Sequence, residues 1–412
     1  MSADVERAAE RVARQSYGKL VAFLTARSGD VPAAEDALSE ALAAALRVWP
    51  ADGIPDSPEA WLLVAARRNL YRAARHAKVK AAAQDRIAMA FEEAQESMNA
   101  DSPAFPDERL KLLFACTHPA IDRSMHTPLM LQTVLGIDAR TMARAFIASP
   151  EAMSQRLVRA KTKIREARVP FTVPERSMLP ERLTGVLSAI YAAYGLGWDG
   201  LDGEADKRGS LAQEAIWLGR ALLAILPEEP EAAGLLSLML YCEARRDARR
   251  DTVGRYVPLD EQDVARWNAV MISEADDLLR QAGRCGRLGP FQCQAAIQSV
   301  HAERRRSGIT DWTALVTLYD ALVLMTPTTG ARVGRATVIG RAQGATAGLH
   351  QLNLLAERDV ASYQPYWAVR AHLLSETGDM PGAASAYRTA IGLSDSSTVR
   401  EFLSARLAAL MD

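Results

Sequence analysis

No stretch of the 412 residues carries about 18 apolar side chains in a row, so no membrane-crossing helix is expected. The opening from Met1 to Arg14 is charged throughout and has no apolar core segment, which argues against a secretory signal peptide. Cysteine is sparse: Cys116, Cys242, Cys285 and Cys293 lie far apart without CxxC spacing. The six histidines supply no HExxH. Reduced thiols in a cytoplasmic protein are therefore expected, with no metal site. A GxxxxGK[ST] phosphate loop, a GxSxG turn and a Gly-rich turn between strand and helix are all lacking, so no catalytic residue and no cofactor is expected. Period-two alternation is rare, which leaves an all-α chain.

Alanine and leucine are abundant, and the length allows several domains. The net charge of −1 hides two local clusters. Residues 61–80 hold Arg67, Arg68, Arg72, Arg75, Lys78 and Lys80 with no acidic residue. Residues 154–168 hold Arg156, Arg159, Lys161, Lys163, Arg165 and Arg168 against Glu166 alone. Local clustering, rather than net charge, attracts a phosphate backbone.

The first helix is predicted over Val5–Arg27. Asp30 and Pro32 open a second, Pro32–Val48, with Ala37, Leu38, Ala41, Leu42, Ala45 and Leu46 on its apolar face. Proline and glycine in 49–58 predict a loop. Ser57-Pro58 opens a third helix to about Ala82, in which Trp61 and Tyr71 stand among basic residues, a mixture suited to unpaired DNA. An acidic linker over 83–106 follows. Further on, Asp138 caps a short helix, Ala139–Phe146, and Ser149-Pro150 opens another to Ala167. This pair has helix-turn-helix spacing, with early residues placed for bases and later basic ones for phosphates.

Beyond Pro174 the pattern is one of short helix pairs, with helices expected near 208–226, 230–250, 260–284, 289–305 and onward to 397–411. In Pro365–Leu393, residues Trp367, Ala371, Leu374, Gly378, Ala383, Tyr387 and Ala390 fall at tetratricopeptide positions, so an α-solenoid is expected.

Ala34–Leu42 followed by Trp49 resembles the polymerase-binding helix of sigma domain 2. Pro58–Asn69 is similar to the adjoining element that melts and reads the −10 region. Ala143–Phe146 and Gln155–Lys161 resemble sigma domain 4, which reads the −35 element. Together they resemble extracytoplasmic-function sigma factors of the sigma-70 family, in the sub-group with a fused tetratricopeptide-like extension. Ser39 and Ala152 depart from the glutamine and threonine usual at those places.

The resemblance implies domain 2 over 5–82 and domain 4, with its helix-turn-helix, over 107–168. It implies a helical extension over 175–285 and tetratricopeptide-like repeats over 286–412. Glu35, Asp36, Leu38, Glu40 and Leu42 would dock on core RNA polymerase. Asp52, Asp56, Ser57, Trp61, Arg67, Arg68, Asn69, Arg72 and Arg75 would hold the −10 strand of promoter DNA. Ser154, Gln155, Arg156, Arg159, Lys161 and Lys163 would contact the −35 duplex. The chain would not be an enzyme, and its extension would take a protein partner or dock within the molecule. The rival readings are a polymerase-independent helix-turn-helix regulator with a tetratricopeptide-like sensor, and a pure scaffold that binds through its repeats and leaves the basic helices as solvated surface.

Overall fold

The computed structural model describes residues 2–78, 108–146, 148–175, 177–198 and 205–410. The linker expected over 83–106 lies outside them, as do residues 79–82 of the third predicted helix. The protein is all-α; one isolated bridge, Arg250 to Tyr256, is the sole β pairing among the described residues. No helix among them is long and apolar enough to cross a membrane. Contacts divide the chain into two compact units, Met1–Ala193 and Tyr194–Asp412.

The first unit opens with α1 (Ser2–Ser28), α2 (Val31–Asp52) and α3 (Pro58–Lys78), which pack on one another. The Asp30 carboxylate accepts a hydrogen bond from the Ala33 N–H at 3.2 Å and caps α2. Ala34, Ala37, Leu38, Ala41 and Ala45 bury one stripe of that helix. The loop predicted from Trp49 begins later. Helix α2 continues to Asp52 with Pro50 inside it. Pro50 forfeits only the bond to the Leu46 carbonyl. Trp49, 1 % exposed, anchors the last turn in the core. Gly53, at φ 88°, ends the helix by donating its N–H to the Trp49 carbonyl at 3.0 Å.

Next come α4 (Arg109–Cys116), α5 (Arg123–Leu135), α6 (Ala139–Ala145) and α7 (Pro150–Glu166). Three side chains start the last three helices. Asp122 accepts from the Ser124 N–H at 2.8 Å, Asp138 from the Thr141 N–H at 2.8 Å, and Ser149 from the Ala152 N–H at 3.1 Å. Each such cap contributes about 0.5–2 kcal/mol. Helix α1 packs on α4 and α5, and α7 packs on α2 and α5. At the α1–α5 seam Gly18 is buried, and a Cβ there would fall inside the Val134 carbonyl oxygen. Only glycine lets these two backbones meet so closely. Helix α8 (Leu179–Trp198) sends the 6 % exposed Arg182 to donate to the Phe114 carbonyl.

In the second unit, α9 is Ala205–Ile225 and α10 is Pro230–Glu243. Continuous helices were predicted over 230–250 and 260–284. Instead, α10 stops at Glu243 and α11 (Ala269–Arg284) starts only at Ala269. Residues 244–268 form three short 3-10 turns and a tight loop at Gly254, φ 89°. Pro258 has no N–H to give, and Asn268 caps α11 by accepting from the Val270 and Met271 N–H groups. Arg304 fastens this segment by donating to the Leu259, Asp260 and Gln262 carbonyls at 2.9, 3.1 and 3.0 Å. It comes from α12 (Pro290–Ser307), whose first turn donates the Phe291 and Gln292 N–H groups to Glu231, both at 3.0 Å. A carboxylate there suits the positive end of the helix dipole.

Seven further helices follow: α13 (Trp312–Met325), α14 (Thr329–Gln343), α15 (Ala345–Asn353), α16 (Glu357–Val360), α17 (Gln364–Glu376), α18 (Met380–Gly392) and α19 (Ser397–Ala408). Ala371, Ala383, Tyr387 and Ala390 are buried between α17 and α18, with Trp367 and Leu374 packed alongside, and Gly378 turns the chain at φ 84°.

His301 on α12 faces Arg245 and Arg304, and burial with these two cations holds its imidazole down to about 4. The depressed value means the neutral ring is favoured on folding. Its contribution is present above the unfolded value near 6.5 and is lost as pH falls through about 4. The second unit is therefore expected to lose on the order of 3 kcal/mol between those pH values through this group. A His301→Gln chain should lack that component. Hydrogen exchange of α12 peptides at both pH values measures the difference. Equal pH sensitivity in both proteins contradicts it.

Candidate functional site

Helix α2 carries two different acidic faces. Asp36 and Glu40, one turn apart, are exposed. Glu35 is only 7 % exposed. Tyr17 Oη donates to its Oε1 at 3.3 Å, and Lys161 Nζ of α7 lies 2.5 Å from its Oε2. Burial is the largest influence on this carboxyl and holds it above the usual range, against the pull of the Lys161 ammonium. Burial also raises the Tyr17 phenol, so it remains a donor. Of the other predicted docking residues, Leu38 is 1 % exposed and belongs to the core, while Leu42 is half-buried.

Between α2 and α3 lies a groove of about 990 Å³. Glu40 and Arg47 form one wall; Trp61, Arg68, Asn69, Tyr71 and Arg72 form the other. Trp61 is held edge-on against the buried Trp49, with ring centres 5.5 Å apart at 69°. Asn69 donates to the Ala37 carbonyl at 3.2 Å and accepts from Arg72, so its amide ties α3 to α2 and orders the arginine. Arg68, Arg72 and Tyr71 are exposed. Arg67 is half-buried, and burial together with Arg27 lowers its pKa from the usual guanidinium value. Asp52 and Asp56 are exposed and Ser57 half-buried in and before the α2–α3 turn. The Arg75 side chain lies outside the described ones. The groove can accept a flat, electron-rich or anionic group: it offers aromatic faces, guanidinium donors and one carboxylate.

Of the polar and aromatic groove residues, Arg47 was not predicted at all, and Tyr71 was singled out only as an aromatic among basic residues, not as a −10 contact. Tyr71 had a signal, an aromatic among arginines. Arg47 had none, because its partner wall comes from another helix.

On α7, Met153, Leu157, Ala160 and Ile164 are buried in one stripe. Ser154, Gln155, Arg156, Arg159 and Lys163 are exposed on the opposite side. Lys161 is the exception among the predicted −35 residues, since it turns toward Glu35. Among the described residues no cluster of histidine, cysteine and carboxylates could hold a metal ion.

Residues 12–79, covering α2, α3 and most of α1, match sigma-70 region 2. Residues 182–283 match a family of unknown function (DUF6596). The uncharacterized protein R00370 of Rhizobium meliloti (strain 1021) is 33 % identical over 396 residues, which cover 95 % of this chain and 92 % of that protein. No solved structure matches. The chain thus belongs, over nearly its whole length, to the family of this Rhizobium protein, and through its region 2 to the sigma-70 family, whose role lies in RNA polymerase-directed transcription.

Proposed function

We propose that the protein is an alternative sigma factor of the extracytoplasmic-function type. It binds core RNA polymerase, directs initiation at particular promoters, and carries a tetratricopeptide-like extension that modulates this activity. The observation that carries the reading is the α2–α3 pair of region 2. It presents the exposed carboxylates Asp36 and Glu40 beside a groove lined by Trp61, Arg68, Asn69 and Arg72. The carboxylates suit a basic polymerase surface, and the aromatic–arginine wall suits bases that have left the stack. Chemistry belongs to the polymerase. Mixing the full chain with purified core polymerase tests this, with co-elution as the expected outcome. Separate elution at micromolar concentrations contradicts it.

Within the same reading, α6 and α7 form the helix-turn-helix of domain 4, and the exposed face of α7 reads the −35 duplex. Arg156 stands in the second turn, and Lys163 lies two turns further on. Arg156→Ala is expected to weaken binding to the cognate promoter by about 1–3 kcal/mol and to relax preference at one base pair. Lys163→Ala should weaken all sequences alike and reduce the salt slope by about 1. Titration of polymerase–sigma complexes on cognate and scrambled −35 duplexes at several salt concentrations separates the two. Identical, sequence-independent losses contradict base reading by α7.

A further inference from the structure

We infer that the second unit carries a docking surface for an acidic, aromatic-led segment of another protein, and that residues 256–263 of this chain occupy that surface from within. The inference goes beyond the sigma reading and stands apart from it, because every residue it uses lies in the second unit.

The segment between α10 and α11 is gripped by helices far along the chain. Arg304 of α12 donates to the Leu259, Asp260 and Gln262 carbonyls. Arg341 of α14 lies 3.3 Å from the Asp260 carboxylate. Arg406 of α19 pairs with Glu261, 145 positions earlier. Phe402, one turn before Arg406, meets the Tyr256 ring edge-on, with ring centres 5.4 Å apart at 77°. Three separate helices thus spend three arginines and an aromatic ring on one short segment. Guanidinium bonds to the backbone hold an extended peptide of any sequence. The two ion pairs and the ring contact select an aromatic followed four and five residues later by carboxylates.

Helix pairs stacked in a run leave a long face for a partner. Here that face carries more positive charge than its occupant neutralises. The two carboxylates of the segment are engaged by Arg341 and Arg406. Arg245 donates to the neutral Gln298 side chain at 2.6 Å, and Arg304 to neutral carbonyls. Both stand close enough to His301 to disfavour its charged form. An acidic partner meets an attractive field on this side.

The hold on the segment is firm at one end and weak in the middle. Arg266 donates to the Asp247 and Arg250 carbonyls, and the buried Trp267 lies under the Arg304 guanidinium at 5.1 Å. The two ion pairs, by contrast, stand at the surface with side chains 36–53 % exposed. Pairs of that kind contribute little to stability. The middle can leave the face while its anchor stays in place. Tethered in this way, it competes with an incoming segment at an effective concentration of about the millimolar range.

A labelled synthetic peptide of residues 256–263 tests this by fluorescence anisotropy on the full chain. Replacing residues 256–262 of the chain by the same number of glycines and serines empties the face. That chain is expected to bind the peptide at least about tenfold more tightly than the native chain, whose own segment competes. A second variant, Asp260→Asn with Glu261→Gln, changes only exposed side chains and releases the two ion pairs. It should gain about 2–30-fold, and it decides the matter if the first variant does not fold. Adding Arg341→Glu and Arg406→Glu to whichever variant binds should abolish that binding. If neither variant gains over the native chain, the segment is a fixed part of the fold and the inference fails. Binding that survives the two arginine reversals puts the peptide elsewhere and overturns it as well.

Discussion

Reversing Asp36 and Glu40 together to lysine is expected to weaken binding to core polymerase more than about 100-fold and to leave the fold intact. Both carboxylates are exposed and one turn apart on α2, so they meet a partner as one patch. Close charge pairs across an interface are worth about 1.5–7 kcal/mol, and even the lower figure for two pairs gives about two orders of magnitude. Reversal adds repulsion to that loss. Exposed sites of this kind change stability by about 0.5 kcal/mol or less. Glu35 is the wrong residue for this test, because its burial and its contacts with Tyr17 and Lys161 make it structural as well. Binding measured by fluorescence anisotropy against purified core polymerase gives the affinity. Unchanged affinity removes α2 from the docking surface.

Trp49→Ala should have the largest effect on stability. Trp49 is 1 % exposed at the end of α2 and meets Trp61 edge-on. Emptying such a site costs about 3–5 kcal/mol, of which the aromatic pair accounts for about 0.5–1.5 kcal/mol. Its Nε1–H is buried without a hydrogen-bond partner, so Trp49→Phe, which discards that group and keeps a ring, should cost much less. The loss should appear locally. Hydrogen exchange of α2 and α3 peptides in the full chain is expected to speed up by about two to three and a half orders of magnitude in the alanine variant. An increase below about tenfold contradicts the anchoring role. Because Trp61 lines the α2–α3 groove, the same variant should also impair promoter opening.

The sequence made the helices legible wherever local chemistry decides them. Asp30, Asp138 and Ser149 each cap the helix that their position predicts. Of the apolar stripe predicted for α2, Ala37, Leu38, Ala41 and Ala45 are buried, while Leu42 is half-buried and Leu46, near the end of the helix, is 48 % exposed. Pro50 was misleading because a proline rule describes the local backbone, and the burial of Trp49 overrides it. The break expected between 250 and 260 is wider than predicted, reaching from 244 to 268. Arg266 of that segment and Arg304 of α12 are spent on its backbone carbonyls, a pairing that no local pattern announces. At the site, charge and aromatic content pointed to the α3 face, and α7 does expose Arg156, Arg159 and Lys163. The opposite fate of Lys161 was beyond reach, since it depends on Glu35, 126 positions earlier in the chain (161 − 35). Leu38 shows a limit of resemblance: a residue inside a binding helix can belong to its buried side.

Run-off transcription tests the central claim most directly. Purified core polymerase, the full chain and a set of promoter fragments from the source genome are combined, with core alone and chain alone as controls. The sigma reading predicts discrete transcripts from particular promoters only when both proteins are present, and their loss with the Asp36→Lys, Glu40→Lys chain. Sequence-specific binding of the chain alone to duplex DNA, with no transcript dependent on it, would contradict that reading and favour a regulator that works without docking on polymerase.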